Sequence, residues 1–357
     1  MLIMSIFNNK NVTVNKGPYL DTFINMESFD YKLLHDLEYD SFKISLEFNQ
    51  TVYNGLKSND IEIVNEGFTD FFKKAAKFFK DLALKIVEFS KKYIKFFISY
   101  MQDFNRFLEK NKDFLKSLNP NFTYTGYEFK FPEAPNITKA YDIIDSYNIE
   151  INKIDTMKYA DISKMREEFA NETYKNKIRA SVLGSGEIEV SQDTFKEKSK
   201  NLFRDSNSEI KITVNNQYIN KIIDEYGKMK KLLDDTEKNK VKIIKLLHDL
   251  EFFFDRKASV VYDKEEKRIS TSTINREDDK FKRNDSINTQ YDENKLTTLN
   301  SYFDLKYRES KFISSCLITV YMDKIEAIKD CMKQYKDITR QALVNKTDKS
   351  EAKSEVK

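Results

Sequence analysis

The chain has 357 residues with 61 Lys and Arg against 58 Asp and Glu, a formal net charge of +3, which as a whole-chain quantity points neither toward nor away from nucleic acid. Only 7 Gly and 4 Pro occur beside 28 Phe and 20 Tyr, so long helices with few turns and a substantial core are expected, in two or three small domains. The two cysteines, Cys316 and Cys331, lie fifteen residues apart on one expected helix; that separation excludes a disulfide between them, and no run of 18 uncharged apolar residues exists to cross a membrane.

Residues 1–66 form an acidic N-terminal segment, with ten Asp or Glu against five Lys and a net charge of about −5. Its start, MLIMSIFNNKNVTVNK, lacks the basic n-region of a signal peptide. A loop around NVTVNKGPY precedes a helix expected near 27–56.

Residues 67–118 carry the strongest pattern. Phe68, Phe72, Ala75, Phe79, Leu82, Ile86, Phe89, Tyr93, Phe97, Tyr100, Phe104 and Phe107 recur in steps of three and four, the period of one continuous helical stripe. Phe71, Phe78, Phe96 and Ile98 widen it. The other face holds Lys73, Lys74, Lys77, Lys80, Lys85, Lys91, Lys92 and Lys95. The segment reads as one long basic amphipathic helix that starts at Gly67, is capped by Thr69 or Asp70, and stops at LNPN. A solvated face over a packed stripe is the plain explanation of the lysines; attraction to phosphate, of DNA or of lipid headgroups, is the functional one.

Residues 119–180 read as an extended, Tyr- and Phe-rich connector followed by short helices. In 181–214, EIEVS and EIKITV alternate around a helical stretch, so they are expected to form a small two-stranded β element. Residues 215–344 are expected to make a pair of long antiparallel helices, one over 215–255 and one over about 296–344, joined by a mobile polar loop at about 262–295. The tail 345–357 looks disordered. The fold class is therefore mainly α: long amphipathic helices in an elongated bundle with a small two-stranded β element.

The heptapeptide KLLHDLE occurs at 32–38 and 245–251 and contains both histidines, His35 and His248, each three residues before a Glu (Glu38, Glu251). Di-metal carboxylate bundles use Glu-x-x-His, the reverse order. The flanks share nothing in register, so coincidence of helix composition is favoured over a metal site or a duplication. LGSGE, with Gly184 and Gly186, reads as a turn rather than a dinucleotide loop. No nucleotide-binding loop, Cys-x-x-Cys pair or nucleophile elbow is present, and no catalytic, cofactor or metal residues are assigned.

The junction IEIVNEGFTDFFKKAAKFF resembles the internal or structural virion proteins of large tailed bacteriophages. Several of these carry an acidic N-terminal segment, a hydrophobic-x-Glu processing site and a GF start to a basic helix; the matching residues here are Val64, Asn65, Glu66 and Gly67. IRASVLGSGEIEVSQDTF and SEIKITVNNQYINKIIDEYGKMKKLLDDTEK add to the likeness, which covers roughly 61–100 and 178–240. The resemblance implies a non-enzymatic virion protein inside the head, assembled in the host cytoplasm and cut between Glu66 and Gly67 by a prohead protease. Its partners would be other virion proteins and packaged DNA, with Lys73, Lys74, Lys77, Lys80, Lys91, Lys92 and Lys95 as phosphate-contacting residues. Loss of 1–66 would leave a charge of about +8. The alternative is a membrane-active protein using 68–108 on a bilayer; a metal enzyme through His35 and His248 is a third, weaker option.

Overall fold

The computed structural model describes residues 26–130, 159–184, 186–201, 204–205, 208–255, 260–263, 268–271 and 293–354; side chains of 26–38, 92, 94–96, 98, 159, 256–295 and beyond 344 lie outside that description. The chain divides into two units, Met1–Lys43 and Ile44–Lys357. Of the first, the described part is the opening of helix α1 (Met26–Ser58). The second is mainly helical, as the sequence patterning requires, with small antiparallel strand pairs.

Three long helices organise the second unit: α2 (Ile61–Ser117), α6 (Asn216–Asp255) and α7 (Glu293–Ser354). Between α2 and α6 come β1 (Phe122–Gly126), α3 (Tyr159–Ala170), α4 (Glu172–Leu183), α5 (Gln192–Lys200) and β2 (Ile210–Val214). Helix α6 runs antiparallel to α2. The Tyr226 hydroxyl donates to the Met101 carbonyl at 2.8 Å near one end, and Phe254 stacks on Phe79 near the other. Helix α7 is antiparallel to α6 and parallel to α2: Phe72 meets Phe303, the Ser90 and Tyr321 hydroxyls are 2.7 Å apart, and Lys336 sits over Tyr100.

The aromatic stripe of α2 becomes the core. Phe68, Phe71, Phe72, Phe78, Phe79, Phe89, Phe97 and Phe104 are all buried, and the rings of the first five meet Tyr307, Phe254 or Phe303 edge-on or stacked. Such ring pairs contribute about 0.5–1.5 kcal/mol beyond area burial. Helix α7 is buried on every side from Ser301 to Tyr307, so its polar groups need internal partners. Asp304 takes the Ser45 hydroxyl and Arg308; Lys306 pairs with Glu309 at 2.9 Å, and Glu309 also accepts from Tyr174. Burial pushes the Lys324 ammonium down to about 8, with Asp235 opposing. Both cysteines are buried and free, and burial drives the Cys316 thiol up to about 12.

The structure departs from the sequence expectations at four places. Strand β2 pairs with β1 of the connector, Phe122 opposite Val214 through Gly126 opposite Ile210, and not with EIEVS; the latter leads into α5, whose N-cap is Ser191. A second antiparallel pair, β3 (Val260–Asp263) with β4 (Arg268–Thr271), occupies the start of the expected polar loop, and residues 272–292 lie outside the description. Helix α7 continues to Ser354 through the expected tail, whose KTDKSEAKS contains neither Gly nor Pro to stop it. Helix α2 begins at Ile61, not Gly67, because Asp60 caps it by accepting from the Glu62 and Ile63 amides at 3.0 and 3.3 Å.

Candidate functional site

The 44–58 part of α1 and the start of α2 form a close helical hairpin. It turns at Asn59, whose φ of 54° is left-handed, and the Asp60 amide donates to the Gly55 carbonyl at 2.8 Å. A Cβ on Gly55 would stand 2.7 Å from Val64 Cγ2, and one on Gly67 would stand 3.0 Å from Thr51 Cγ2. Both glycines therefore permit a close approach. Phe48 stacks on Phe71 with centroids 3.9 Å apart, and Val52, Ile61 and Val64 are buried with it. The junction Glu66–Gly67 thus lies in the second turn of a helix, Glu66 exposed and Gly67 buried, not in an open linker.

The seven candidate lysines divide into three groups. Lys73, Lys77, Lys80 and Lys91 are exposed along one side of α2, opposite the buried rings. Lys74 is instead held at 2.6 Å by Asp70 and at 2.8 Å by Glu47, and these two carboxylates raise its pKa, Asp70 the more strongly. It also ties α2 to the preceding segment, since Glu47 lies within residues 1–66. The side chains of Lys92 and Lys95 lie outside the described residues. Over 67–95 the eight lysines face only three acidic residues, Asp70, Asp81 and Glu88, so the ridge keeps a positive surplus.

Helix α6 also exposes lysines, although its 8 Lys are balanced by 8 Asp and Glu. Lys228, Lys230, Lys231, Lys238 and Lys245 are exposed there. The Tyr226–Met101 and Phe254–Phe79 contacts set the antiparallel register, which brings the Lys238–Lys245 stretch level with Leu84–Lys91. The sequence signal was available in GKMKKLLDDTEKNKVKIIK, but pairing with α2 is long-range and leaves no mark on periodicity.

The repeated heptapeptide stays two helical pieces. His248 Nδ1 lies 3.0 Å from Glu251, its neighbour one turn on, with the ring half exposed; the His35 side chain lies outside the described residues. No group of three His, Cys, Asp or Glu placed to hold a metal occurs among the described residues. Gly184 takes a left-handed φ of 64° as the C-cap of α4, donating to Ala180 and Ser181 carbonyls, which accounts for the LGSGE turn. No described helix is long and apolar enough to cross a membrane.

Comparison with protein-family models, with curated proteins and with solved structures finds no match.

Proposed function

We propose that this chain is a non-enzymatic structural protein of a tailed-phage virion that lies inside the head and presents a helical lysine ridge to packaged DNA. The observation that carries the reading is the ridge itself: Lys73, Lys77, Lys80 and Lys91 are exposed on a helix whose opposite face is locked in the core. Such a rigid row of point charges suits a polyphosphate backbone, where each neutralised phosphate releases condensed counterions. The likeness of IEIVNEGFTDFFKKAAKFF to virion proteins supplies the biological setting. Other virion proteins are its proposed neighbours.

Processing by a prohead protease belongs to the proposal in a restricted form. A protease needs extended chain, and Glu66–Gly67 is helical and packed against Thr51. Cleavage therefore acts on chains whose α1–α2 hairpin is open, either before it forms or on local unfolding. The membrane-active alternative demands more: Phe68 to Phe104 would have to leave α6 and α7 to meet lipid.

Mass spectrometry of purified mature particles tests the proposal. The chain should appear as a virion component with an N-terminus at Gly67. Its absence from particles overturns the virion reading; full recovery of peptides spanning Glu66–Gly67 overturns processing.

A further inference from the structure

A second feature lies on the flank of α2 that faces α7, away from the lysine ridge. Tyr100, Asp103, Phe104 and Phe107 of α2 and Lys336 and Arg340 of α7 line an open cleft of about 250 Å³. Its wall is aromatic and fixed. The rings of Phe104 and Phe107 are nearly parallel, 12° apart with centroids at 6.1 Å. Tyr226 braces Phe104 edge-on and is itself pinned by its hydrogen bond to the Met101 carbonyl. Phe104 is buried, while Phe107 keeps an accessible face.

The other side of the cleft is cationic. Lys336 Nζ lies 4.4 Å from the centre of the Tyr100 ring, and Arg340 follows one helical turn later on the same face. Neither makes an ion pair among the described residues. Burial and the Arg340 charge both favour loss of the Lys336 proton, and Asp337 and Asp103 oppose them only in part. Lys336 and Arg340 are thus neighbouring cations beside a braced aromatic wall, with the Asp103 and Asp337 carboxylates near but in no direct ion pair with them. Asp103, which also lines the cleft and lies 3.9 Å from Arg106, repels a phosphate on the α2 side and can accept from a hydroxyl or amine.

We infer that this cleft binds one nucleotide unit, with the base against Phe107 and the phosphate between Lys336 and Arg340. The volume sits just below the ~300 Å³ lower end of ordinary ligand pockets; it suits a single heterocycle with its phosphate and is too small for two stacked units. Base–aromatic stacking tolerates any base, because every base has a π-face, so the site selects nucleotide chemistry rather than sequence. The inference deepens the proposed contact with nucleic acid but uses different residues from the ridge, so the two can fail separately.

Isothermal titration of the full chain with adenosine 5′-monophosphate, with an eight-nucleotide oligodeoxyadenylate and with inorganic phosphate tests it. Saturable binding of the monophosphate is expected. Phe107→Leu and the pair Lys336→Gln with Arg340→Gln should each weaken it roughly tenfold or more, while Lys73→Gln with Lys77→Gln leaves it unchanged. Phe107 is only half-buried, and unchanged thermal melting shows that each variant is folded. Tighter binding of the oligonucleotide identifies a strand as the source; exclusive binding of the monophosphate identifies a free nucleotide. No binding at low millimolar concentration, an affinity indifferent to Phe107→Leu, or inorganic phosphate binding equally well overturns the inference.

Discussion

Phe48→Ala tests whether residues 44–66 belong to the folded body or merely precede it. Phe48 is 2% exposed, stacked on Phe71 at 3.9 Å and edge-on to Phe68 at 5.2 Å. Truncation removes its burial and leaves a cavity against two other core rings, a change worth about 3–5 kcal/mol. That is a large share of the ~5–15 kcal/mol that holds a typical domain together. The same loss lowers the cost of opening the α1–α2 hairpin, where Glu66–Gly67 is otherwise helical. At about 1.4 kcal/mol per factor of ten, the open fraction should rise by about two to three and a half orders of magnitude. Urea denaturation measures the first quantity. Digestion with a glutamate-specific protease, followed by identification of the Gly67 terminus, measures the second. A stability change below about 1 kcal/mol, or a wild-type chain already cut at Glu66 as fast as an unstructured peptide, would refute the reasoning that the hairpin protects this bond.

Gly55→Ala and Gly227→Ala should have opposite signs. A Cβ on Gly55 would stand 2.9 Å from the Val64 backbone nitrogen, which cannot swing aside, whereas one on Gly227 meets nothing within 4 Å; thermal melts should show the first destabilised by about 1–3 kcal/mol and the second stabilised by up to about 1 kcal/mol. Gln334→Ala should cost about 1–3 kcal/mol in denaturant titration, because its amide both accepts from the Tyr127 N–H at 2.8 Å and donates to the Tyr127 carbonyl at 2.7 Å. Asp323 is raised from 3.8 to about 6, chiefly by burial. Its folded pKa exceeds its unfolded one, so the folded state takes the proton first and this group's contribution to stability rises as pH falls from about 6 toward 3.8. Asp323→Asn should remove that rise and stabilise the chain at pH 7 by at most about 3 kcal/mol, as denaturant titrations across pH would show.

The long helices were legible because α2 carries an unbroken three-and-four spacing of apolar residues and α6 and α7 carry interrupted ones, and most of those residues are buried. What the pattern concealed was long-range. FTYTG and EIKITV are far apart in the chain yet pair strand to strand, while EIEVS alternates equally well and forms no strand pair among the described residues. The start of α2 was misplaced because Gly67 looked like a boundary; its role is to let Thr51 approach, and the true signal was the Asp60 cap. Helix α7 mixes Asp304, Lys306, Glu309 and Lys324 into its buried length, which no amphipathic pattern announces. Of the lysine ridge, the exposed members were visible in sequence, but the engagement of Lys74 by Glu47 was not. The cleft joins Phe107 to Arg340 across more than two hundred residues, and Tyr100, Phe104 and Phe107 looked like a plain continuation of the core stripe.

Salt-dependent binding of duplex DNA by the intact chain, compared with the Lys73→Gln, Lys77→Gln, Lys80→Gln, Lys91→Gln variant, tests the lysine ridge most directly. Each phosphate contact contributes about −0.9 to the slope of log affinity against log salt concentration. The slope should therefore become shallower by about 3 to 4 in the variant, with no change in thermal stability, since all four side chains are exposed. An unchanged slope, or preferential binding to anionic vesicles at the same salt, would contradict the account.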